Sequence, residues 1–411
     1  MNNLYKHQID IIAENRPKTG LWLGTGAGKT LIALLLARGK TLVICPKTQK
    51  EDKNWERECQ KNNLKIDLTV ISKETFRRDA HSLPVYETVI VDECHTSLGV
   101  TPNIRWKNKK PIPKTSQIFE ALKQYLERTK PERLYLCTAT IIRSPMTVWG
   151  AGKLLGRDWN WYKWRDTFYT KIPIPQHEVW IPKTDNSTKN RLAGIVLTIG
   201  YTGQLSDYFD VPDQTYKTEF VELIAKQKKR IKELPLEYPD PIVLVGKKHQ
   251  VENGVLLGNE FIKTEIFDNA KIDRLVDYAL EFPRMIVFAK YIAQIEQIAL
   301  AMRNIGKKVF ILTGEVKERG NVIFEANSCD NYVFIAQSQI SSGWELPDCP
   351  VMIFASMSYS VVDRIQSEGR ILRANKLKKN LYITLVVKGG VDEHVKKCID
   401  NKQDFHERMY I

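Results

Sequence analysis

Two adjacent carboxylates follow an apolar run in the first quarter of the chain. Residues 89–91 predict a buried strand, and Asp92 and Glu93 come directly after it. Such a strand can deliver Asp92 to a magnesium ion while Glu93 faces the water that attacks a terminal phosphate. An acidic pair at a strand end is also typical of a solvated turn or a helix N-cap. The meaning of the pair therefore depends on what stands upstream.

A glycine-rich segment upstream predicts a phosphate-binding loop. It lies between an apolar stretch, residues 21–23, and a helix-like run, residues 31–37, and consists of Gly24, Thr25, Gly26, Ala27, Gly28, Lys29 and Thr30. Glycines let backbone N–H groups close around phosphates, Lys29 can reach the β- and γ-phosphates, and Thr30 offers a hydroxyl to Mg²⁺. Leu23 occupies the position where this motif usually has its first glycine. The turn at the start of the loop must therefore be made differently or by Gly24. Together with Asp92 and Glu93, the loop predicts nucleotide hydrolysis.

Length and charge limit the class of protein. A chain of 411 residues exceeds what one core normally supports, so two domains are expected. The net charge of +14 favours a polyanionic partner, either nucleic acid or an anionic membrane. No run approaches the ~20 apolar residues of a spanning helix, and the N-terminus is not a signal peptide. We expect an intracellular protein without a membrane partner, in a bacterium or a phage-infected cell.

Seven scattered cysteines contain no Cys-x-x-Cys pair. This spacing predicts neither disulfides nor structural zinc.

The pattern of elements predicts an α/β fold with two parallel sheets covered by helices. Short β-rich runs alternate with helical segments in residues 1–148 and again in residues 236–411. Residues 149–235 are set apart as an accessory region that is rich in tryptophan. Its tryptophans could stack on bases, although packing is more typical of tryptophans in helices.

Two basic runs, residues 105–110 and 226–230, could extend a nucleic-acid track or could be solvated faces. No strand-separating hairpin is evident from the sequence.

Arginines in the last quarter could complete a phosphoryl-transfer site. Arg370 and Arg373 lie three residues apart on a predicted helix, after Gln366. Permanently charged guanidinium groups suit the charge that spreads over a transferring phosphoryl group. The alternative is a surface helix with solvated arginines.

Taken in order, these motifs resemble superfamily-2 helicases and translocases, and their spacing is most similar to the Swi/Snf-like branch. Leu4 and Gln8 resemble the adenine-recognising motif, with His7 where tyrosine is usual. Residues 43–48 and 72–76 resemble motifs that grip the nucleic-acid backbone. Residues 138–140 resemble the motif that couples hydrolysis to movement, although Ile141 replaces its usual proline.

The second domain carries matching segments. Residues 286–290 and 312–315 resemble its opening motif and a phosphate-contacting turn, and residues 337–347 the fifth motif, with Glu345 in place of aspartate. Residues 366–373 resemble the sixth motif.

The resemblance implies two tandem RecA-like domains with ATP and Mg²⁺ in the cleft between them. The implied catalytic residues are Lys29, Asp92, Glu93, Gln366, Arg370 and Arg373, with Thr30 and Asp92 on Mg²⁺. The implied nucleotide-binding residues are Gln8, Gly24, Thr25, Gly26, Ala27, Gly28, Lys29, Thr30 and Glu345. His95, Thr138 and Thr140 would couple hydrolysis to movement, and His95 would link the acid pair to Gln366 or Thr138. The implied nucleic-acid contacts are Pro46, Lys47, Thr48, Ser72, Thr313, Gly314 and Ser341.

The leading hypothesis is a monomeric, nucleic-acid-stimulated ATPase that translocates on DNA and remodels branched or protein-bound duplex. Single-stranded DNA and RNA stay open as partners, as does a strand-separating helicase. A further alternative is a nucleic-acid clamp in which ATP acts only as a conformational ligand. A phosphate-loop kinase is disfavoured by the second α/β domain and by residues 366–373.

Overall fold

The computed structural model describes residues 4–107, 110–174, 177–209, 211, 213–258, 262–316, 318–340, 344–372 and 379–401. The chain divides into two compact units, Met1–Phe209 and Asp210–Ile411. The accessory region that the sequence sets apart, residues 149–235, is therefore shared between the two units. No described helix is long and apolar enough to cross a membrane.

Six strands of the first unit form one parallel sheet, and four strands form two antiparallel hairpins. The strands are β1 (Lys18–Leu23), β2 (Thr41–Cys45), β3 (Leu68–Ser72), β4 (Thr88–Val91), β5 (Val100–Lys107), β6 (Lys110–Thr115), β7 (Arg133–Cys137), β8 (Tyr169–Ile174), β9 (His177–Pro182) and β10 (Gly200–Gly203). The sheet order is β10-β1-β7-β4-β2-β3. The central strands β2 and β4 are buried along their whole length and are apolar after the threonine that begins each, as expected for a parallel sheet covered on both faces.

The helices of the first unit are α1 (Lys6–Glu14), α2 (Lys29–Leu36), α3 (Lys47–Glu51), α4 (Asn54–Lys61), α5 (Lys73–Asp79), α6 (Gln117–Thr129), α7 (Pro145–Leu154), α8 (Trp161–Phe168) and α9 (Asn186–Ile199). Most connect successive strands. Because parallel strands need such crossovers, the loops that follow β1, β2, β3, β4 and β7 all gather at one edge of the sheet, its carboxyl edge.

The tryptophans of α7 and α8 belong to the core of the first unit. Trp149, Trp161 and Trp164 are buried in the same apolar cluster as the strand residues Leu42, Val89 and Leu136. Trp159 stacks on Trp164 with 4.7 Å between ring centroids. The structure therefore shows that these tryptophans pack in the core, which is the role typical of tryptophans in helices.

The described residues of the basic run, 105–107 and 110, lie on the strands of a β-hairpin. Strands β5 and β6 pair in antiparallel register, with Trp106 opposite Pro111. A second hairpin, β8–β9, pairs Tyr169 with Pro182 and packs against the first. Three prolines within β5 and β6 hide the β pattern of these strands, so the hairpin is not evident from the sequence.

The second unit has a six-stranded parallel sheet of order β11-β18-β17-β14-β16-β15 and a short antiparallel pair, β12–β13. Its strands are β11 (Gln214–Val221), β12 (Val255–Leu256), β13 (Glu265–Ile266), β14 (Arg284–Ala289), β15 (Lys308–Leu312), β16 (Tyr332–Gln337), β17 (Val351–Phe354) and β18 (Asn380–Val387). Its helices are α10 (Ala225–Glu237), α11 (Pro241–Glu252), α12 (Ala270–Glu281), α13 (Ile292–Asn304), α14 (Arg319–Asn327), α15 (Val361–Glu368) and α16 (Val391–Asp400).

Apolar clusters cover both faces of this second sheet. The two sheets confirm the predicted α/β class with two parallel sheets covered by helices.

A buried charge cluster joins four parts of the second unit. The Asp392 carboxylate, at the start of α16, accepts hydrogen bonds from Lys271 Nζ at 2.5 Å and from His249 Nε2 at 3.0 Å. Lys271 Nζ also donates to Asn253 Oδ1 at 2.6 Å and to the Ala355 carbonyl at 2.7 Å. The cluster therefore ties α11 and α16 to α12 and to the end of β17.

The charges in this cluster compensate one another. Burial opposes ionisation of Asp392, but the charge of Lys271 and the hydrogen bond from His249 outweigh it, so the pKa of Asp392 lies well below its usual range. Burial lowers the pKa of His249 to about 4, so the ring is neutral at pH 7. Burial and the charge of Asp392 raise the pKa of Glu252 to about 8.

Replacing Lys271 with methionine should destabilise the second unit by about 3–5 kcal/mol, because Asp392 would become an uncompensated buried charge. Urea unfolding at pH 7 measures the change. Lys232→Met, on an exposed position of α10, is the matched control and should change stability by less than about 0.5 kcal/mol.

The effect of Lys271→Met should depend on pH. A carboxylate whose folded pKa is depressed contributes stability above its unfolded pKa, and this contribution is lost as the pH falls. The difference between wild type and variant should therefore be greatest above pH ~5 and should narrow toward pH ~3. A difference that stays constant over this range would contradict the role given to Asp392.

Candidate active site

The phosphate-loop segment lies at the carboxyl end of β1, where the sequence places it. Gly26 and Gly28 both have φ of +82°, a conformation that side-chain-bearing residues rarely adopt. Gly24 N donates to the Gly203 carbonyl at 2.8 Å, and a Cβ at Gly24 would lie 3.1 Å from the Gln204 side chain. The close approach of backbone therefore occurs at Gly24, while Leu23 remains a buried strand residue.

Lys29 begins α2 and reaches back over the loop. Its Nζ donates to the carbonyls of Leu23 at 2.8 Å and of Gly24 at 3.1 Å. Thr25 and Thr30 are half-buried on either side of the turn. The first turn of a helix such as α2 has N–H groups that no carbonyl of the same helix accepts, together with the positive end of the helix dipole, and both suit a phosphate.

Helix α1 packs on the loop from the other side. His7 Nε2 lies 3.0 Å from the Ala27 carbonyl. The Gln8 amide is buried, and a Cβ at Gly28 would come within 2.2 Å of its Nε2, so the amide covers that glycine. Gln8 Oε1 also accepts from Tyr5 N at 3.0 Å. The structure thus brings the residues predicted to read adenine against the predicted phosphate loop.

Two aromatic residues that the sequence did not identify complete this arrangement. His7 stacks on Tyr208 with 3.8 Å between ring centroids, and Phe209 meets the ring of Tyr5 edge-on at 4.3 Å. Both follow β10, which pairs with β1. The adjacent aromatic pair was the available signal, but nothing in the sequence shows that residues 200–209 return to the first sheet.

The acid pair stands at the carboxyl end of β4. Asp92 N donates to the Ile44 carbonyl at 2.9 Å, which continues the ladder with β2. Asp92 is buried, and burial together with the neighbouring Glu93 raises its pKa to about 6. Glu93 has φ of 42° and ψ of 48°, a left-handed conformation that costs a residue with a side chain roughly 1–2 kcal/mol.

Lys73 holds this strained turn and was missed by the sequence reasoning. Its Nζ donates to the Glu93 carbonyl at 2.6 Å and to Thr96 Oγ1 at 2.5 Å. Burial lowers the pKa of Lys73, while Asp92 and Glu93 oppose that effect. A lysine in the first turn of α5 is unfavourable for the helix dipole. This unfavourable position of a positive charge was a signal in the sequence that Lys73 interacts with a group outside its helix.

A hydrogen-bonded group links the turn that carries the acid pair to the end of β7, the strand between β1 and β4. His95 Nδ1 lies 2.8 Å from Thr138 Oγ1, and Thr140 N donates to Thr138 Oγ1 at 3.1 Å. Burial lowers the pKa of His95 to about 3, so the ring is neutral and its 3.4 Å approach to Glu93 Oε2 is not an ion pair. Of the two partners considered for His95, the structure brings Thr138 to it.

The donor set at this edge fits a magnesium ion carried by a nucleotide. The Thr30 hydroxyl and the Asp92 carboxylate are hard oxygen donors of the kind that Mg²⁺ prefers, so these two residues would hold the ion. No cluster of three metal-binding side chains occurs among the described residues. Glu93 Oε2 is buried with no hydrogen-bond partner in the described part of the chain, as expected for a group that orients a water molecule.

Cys94 packs among the apolar residues of the core, and burial raises the pKa of its thiol. This position therefore needs a small apolar side chain.

The predicted nucleic-acid contacts of the first unit share the carboxyl edge of its sheet. Pro46 follows β2 and precedes α3, on which the exposed Lys47 lies 3.6 Å from Glu51. Thr48 is half-buried on the same helix. Ser72 ends β3, and its Oγ accepts from Thr75 N at 3.1 Å as the N-cap of α5.

In the second unit, Gln366 and Arg370 are both buried. Arg370 Nε donates to the Gln366 carbonyl at 2.8 Å, and its Nη1 donates to the Trp344 carbonyl at 2.7 Å. Arg370 thus also has a structural part in this unit, and its loss should affect the stability of the unit. Arg373 lies outside the described residues.

The remaining predicted residues of the second unit are spread over two loops. Thr313 is buried after β15, and Gly314 N donates to Gln337 Oε1 at 3.3 Å. Glu345 is exposed, and its carbonyl accepts from Asn327 at 3.3 Å. Ser341 lies outside the described residues.

Comparisons with known proteins identify the class of the second unit. Residues 270–375 match the family model of the helicase conserved C-terminal domain. The match includes α12 to α15 and the Gln366 to Arg373 segment, and it confirms the resemblance to superfamily-2 helicases and translocases. No curated protein matches the chain significantly.

One similar solved structure is the SWI2/SNF2 ATPase core of Sulfolobus solfataricus in complex with double-stranded DNA. It is 18% identical, with a TM-score of 0.41, over 99% of this chain and 92% of that one.

Replacing Lys73 with methionine should lower the rate of ATP hydrolysis by about 10- to 100-fold, because the Glu93 turn would lose its anchor and its carboxylate would shift. Nucleotide affinity should change little, since Lys29 and the loop are untouched. Steady-state kcat and binding of a fluorescent ATP analogue measure the two effects. Arg77→Met, on an exposed position of α5, is the control. Equal kcat for Lys73→Met and wild type would show that Lys73 does not position Glu93.

Proposed function

We propose that this protein is an ATP-driven motor of the Swi/Snf-like branch that translocates on DNA, acting on duplex or branched substrates. The observation that carries the proposal is the Asp92–Glu93 turn beside a phosphate loop, in a chain whose second part contains a helicase C-terminal domain. A binding loop without a base would suit a nucleotide-dependent switch. A half-buried, strained glutamate whose Oε2 lacks a hydrogen-bond partner in the described part of the chain suits hydrolysis.

In the proposed reaction, Lys29 and the loop amides hold the phosphates and Thr30 and Asp92 hold Mg²⁺. When bound there, Mg²⁺ would supply positive charge that offsets the charge of the phosphates. Glu93 orients the attacking water through its partly buried carboxylate. Lys73 keeps the backbone of Glu93 in the left-handed turn that presents this carboxylate.

Coupling to movement would use the His95–Thr138–Thr140 group. Glu93 and His95 lie in the same turn, and Thr138 directly follows β7, the strand next to β1 in the sheet. A change at Glu93 on hydrolysis can therefore reach the loop after β7 through two hydrogen bonds. Because His95 is neutral, its hydrogen bonds can be exchanged without separating charges.

The proposed DNA contacts lie at phosphates. Lys47 and Thr48 on one unit and Thr313 and Gly314 on the other would contact the backbone, which carries little sequence information. The net charge of +14 supports a polyanionic partner. RNA is the alternative ligand of the same chemistry, and strand separation is the alternative outcome of movement.

Replacing Glu93 with glutamine should reduce DNA-stimulated ATP hydrolysis by about 100-fold or more while ATP binding persists, because the base is lost and the loop is not. Phosphate release in the presence of linear duplex measures the rate. DNA stimulation in wild type should fall steeply between ~50 and ~200 mM salt. Hydrolysis that persists in Glu93→Gln would contradict the role of Glu93. Translocation assays would then distinguish the clamp hypothesis from the motor hypothesis.

Replacing Arg370 with alanine should lower kcat by about 1,000-fold, because we propose that Arg370 and Arg373 stabilise the charge of the transferring phosphoryl group. The variant also loses two buried hydrogen bonds, so the rates must be compared where urea unfolding shows both proteins folded.

Arg364→Ala is the matched control for Arg370→Ala. Arg364 lies on α15 and donates to Glu368 and Thr384, and its guanidinium stacks over Phe354 at 3.6 Å. The control should lose stability without a comparable loss of kcat. Similar kcat values for the two folded variants would argue against an arginine finger at position 370.

A further inference from the structure

The β5–β6 hairpin carries an exposed tryptophan that no part of the proposed ATP site uses. The side chain of Trp106 is 68% exposed, whereas the other eight tryptophans are buried or half-buried. The hairpin leaves the carboxyl edge of the first sheet shortly after Glu93. From Val100 to Trp106 it extends about 20 Å at the rise of a β-strand.

The pairing register sorts the hairpin residues into two faces. Residues that are directly opposite in antiparallel strands share a face, so Trp106 lies with Pro111, and Ile104 with Pro113. Arg105 lies on the other face, where its Nη2 is 3.7 Å from Glu120. One face therefore presents an aromatic ring flanked by small apolar surfaces.

The hairpin segment itself carries charge of one sign. Residues 100–115 include five basic residues and no acidic residue. An exposed indole in a cationic setting matches a base of a nucleic acid, because the ring stacks on the base while nearby cations interact with the phosphates. An acidic protein partner would use the cations but would have less use for a flat exposed ring.

The edges of the hairpin disfavour a strand-adding partner. Pro111 and Pro113 on β6 lack N–H groups, and proline within a sheet occurs where the N–H would face solvent. The outward edge of β6 is therefore without two of the donors that another strand would need. What remains for recognition is the face that carries Trp106.

The base of the hairpin is firmly held, so the ring has a fixed platform. Ser116 N donates to the Gly99 carbonyl at 2.6 Å, and Val100 is buried in the core of the unit. Tyr162 Oη donates to the Pro111 carbonyl at 3.3 Å, close to the level of Trp106. A two-stranded hairpin alone is only marginally stable in water, and these contacts supply the support it needs.

We propose that Trp106 stacks on an unpaired base of the DNA, so that the motor binds branched or forked DNA in preference to uninterrupted duplex. The proposal rests on the proposed function and deepens it by naming the structural feature of the substrate. In continuous duplex every base is already stacked, so the indole gains little there. At a fork or junction an unpaired base is available to Trp106.

The test compares Trp106→Ala, Trp106→Phe and wild type in full-length protein by fluorescence anisotropy with three labelled DNAs of equal length. The DNAs are a blunt duplex, a fork with unpaired arms and a single strand. Trp106→Ala should weaken binding to the fork and to the single strand by about 5- to 100-fold and leave blunt duplex nearly unchanged. Trp106→Phe should restore most of the loss.

Phe324→Ala is the matched control, because Phe324 is a 73% exposed aromatic residue on α14 of the second unit and is not part of the hairpin. It should bind all three DNAs as wild type does. Thermal unfolding of Trp106→Ala should match wild type, since the ring is exposed.

Three outcomes would overturn the stacking proposal. The first is that Trp106→Ala weakens binding equally to all three DNAs. The second is that it weakens binding to none of them, as expected for a tryptophan that contacts a protein partner. The third is that Trp106→Phe does not recover the lost binding. Failure of the motor proposal is distinguished by wild type, which would then show neither DNA binding nor DNA-stimulated hydrolysis.

Discussion

The backbone turn at Glu93 is the constraint on which the site depends. An L-residue with φ of 42° is strained, and here the strain is opposed by the hydrogen bond that Lys73 donates to the Glu93 carbonyl. The turn sets three things at once. It places the Glu93 carboxylate beyond Asp92, it brings His95 to Thr138, and it directs the chain into the β5–β6 hairpin. A relaxed turn would send at least one of these groups elsewhere.

The order of strands in the parallel sheet determines which loops lie beside the Glu93 turn. Its strand order puts β7 between β1 and β4, so the loop after β7 lies between the phosphate loop and the acid pair. Thr138 thus lies where both can influence it. The same carboxyl edge carries Lys47, Ser72 and the hairpin, so hydrolysis and the proposed DNA contacts of the first unit depend on one set of strand ends.

Much of the fold and of the candidate site could be predicted from the sequence, because the residues that indicate them are close together along the chain. The glycine-rich segment, the acid pair and the alternation of elements all specify their neighbours along the chain, and the second unit follows the predicted pattern. Lys73, Tyr208 and the hairpins could not be found in this way. Lys73 acts on a residue 20 positions away, Tyr208 comes back to His7 only because β10 pairs with β1, and the proline-rich strands lack the period-2 pattern that identifies strands. Arg370 was found, but its bonds to Trp344 and Gln366 required the folded unit.

The most direct test of the account is displacement of a triplex-forming third strand from linear duplex by the full chain. A motor that moves on DNA with the Glu93 site as its engine should release the third strand only when ATP is present and hydrolysed, and the two duplex strands should stay paired. Release that occurs equally with a non-hydrolysable ATP analogue, or no release under conditions where DNA stimulates hydrolysis, would contradict the claim that hydrolysis drives movement.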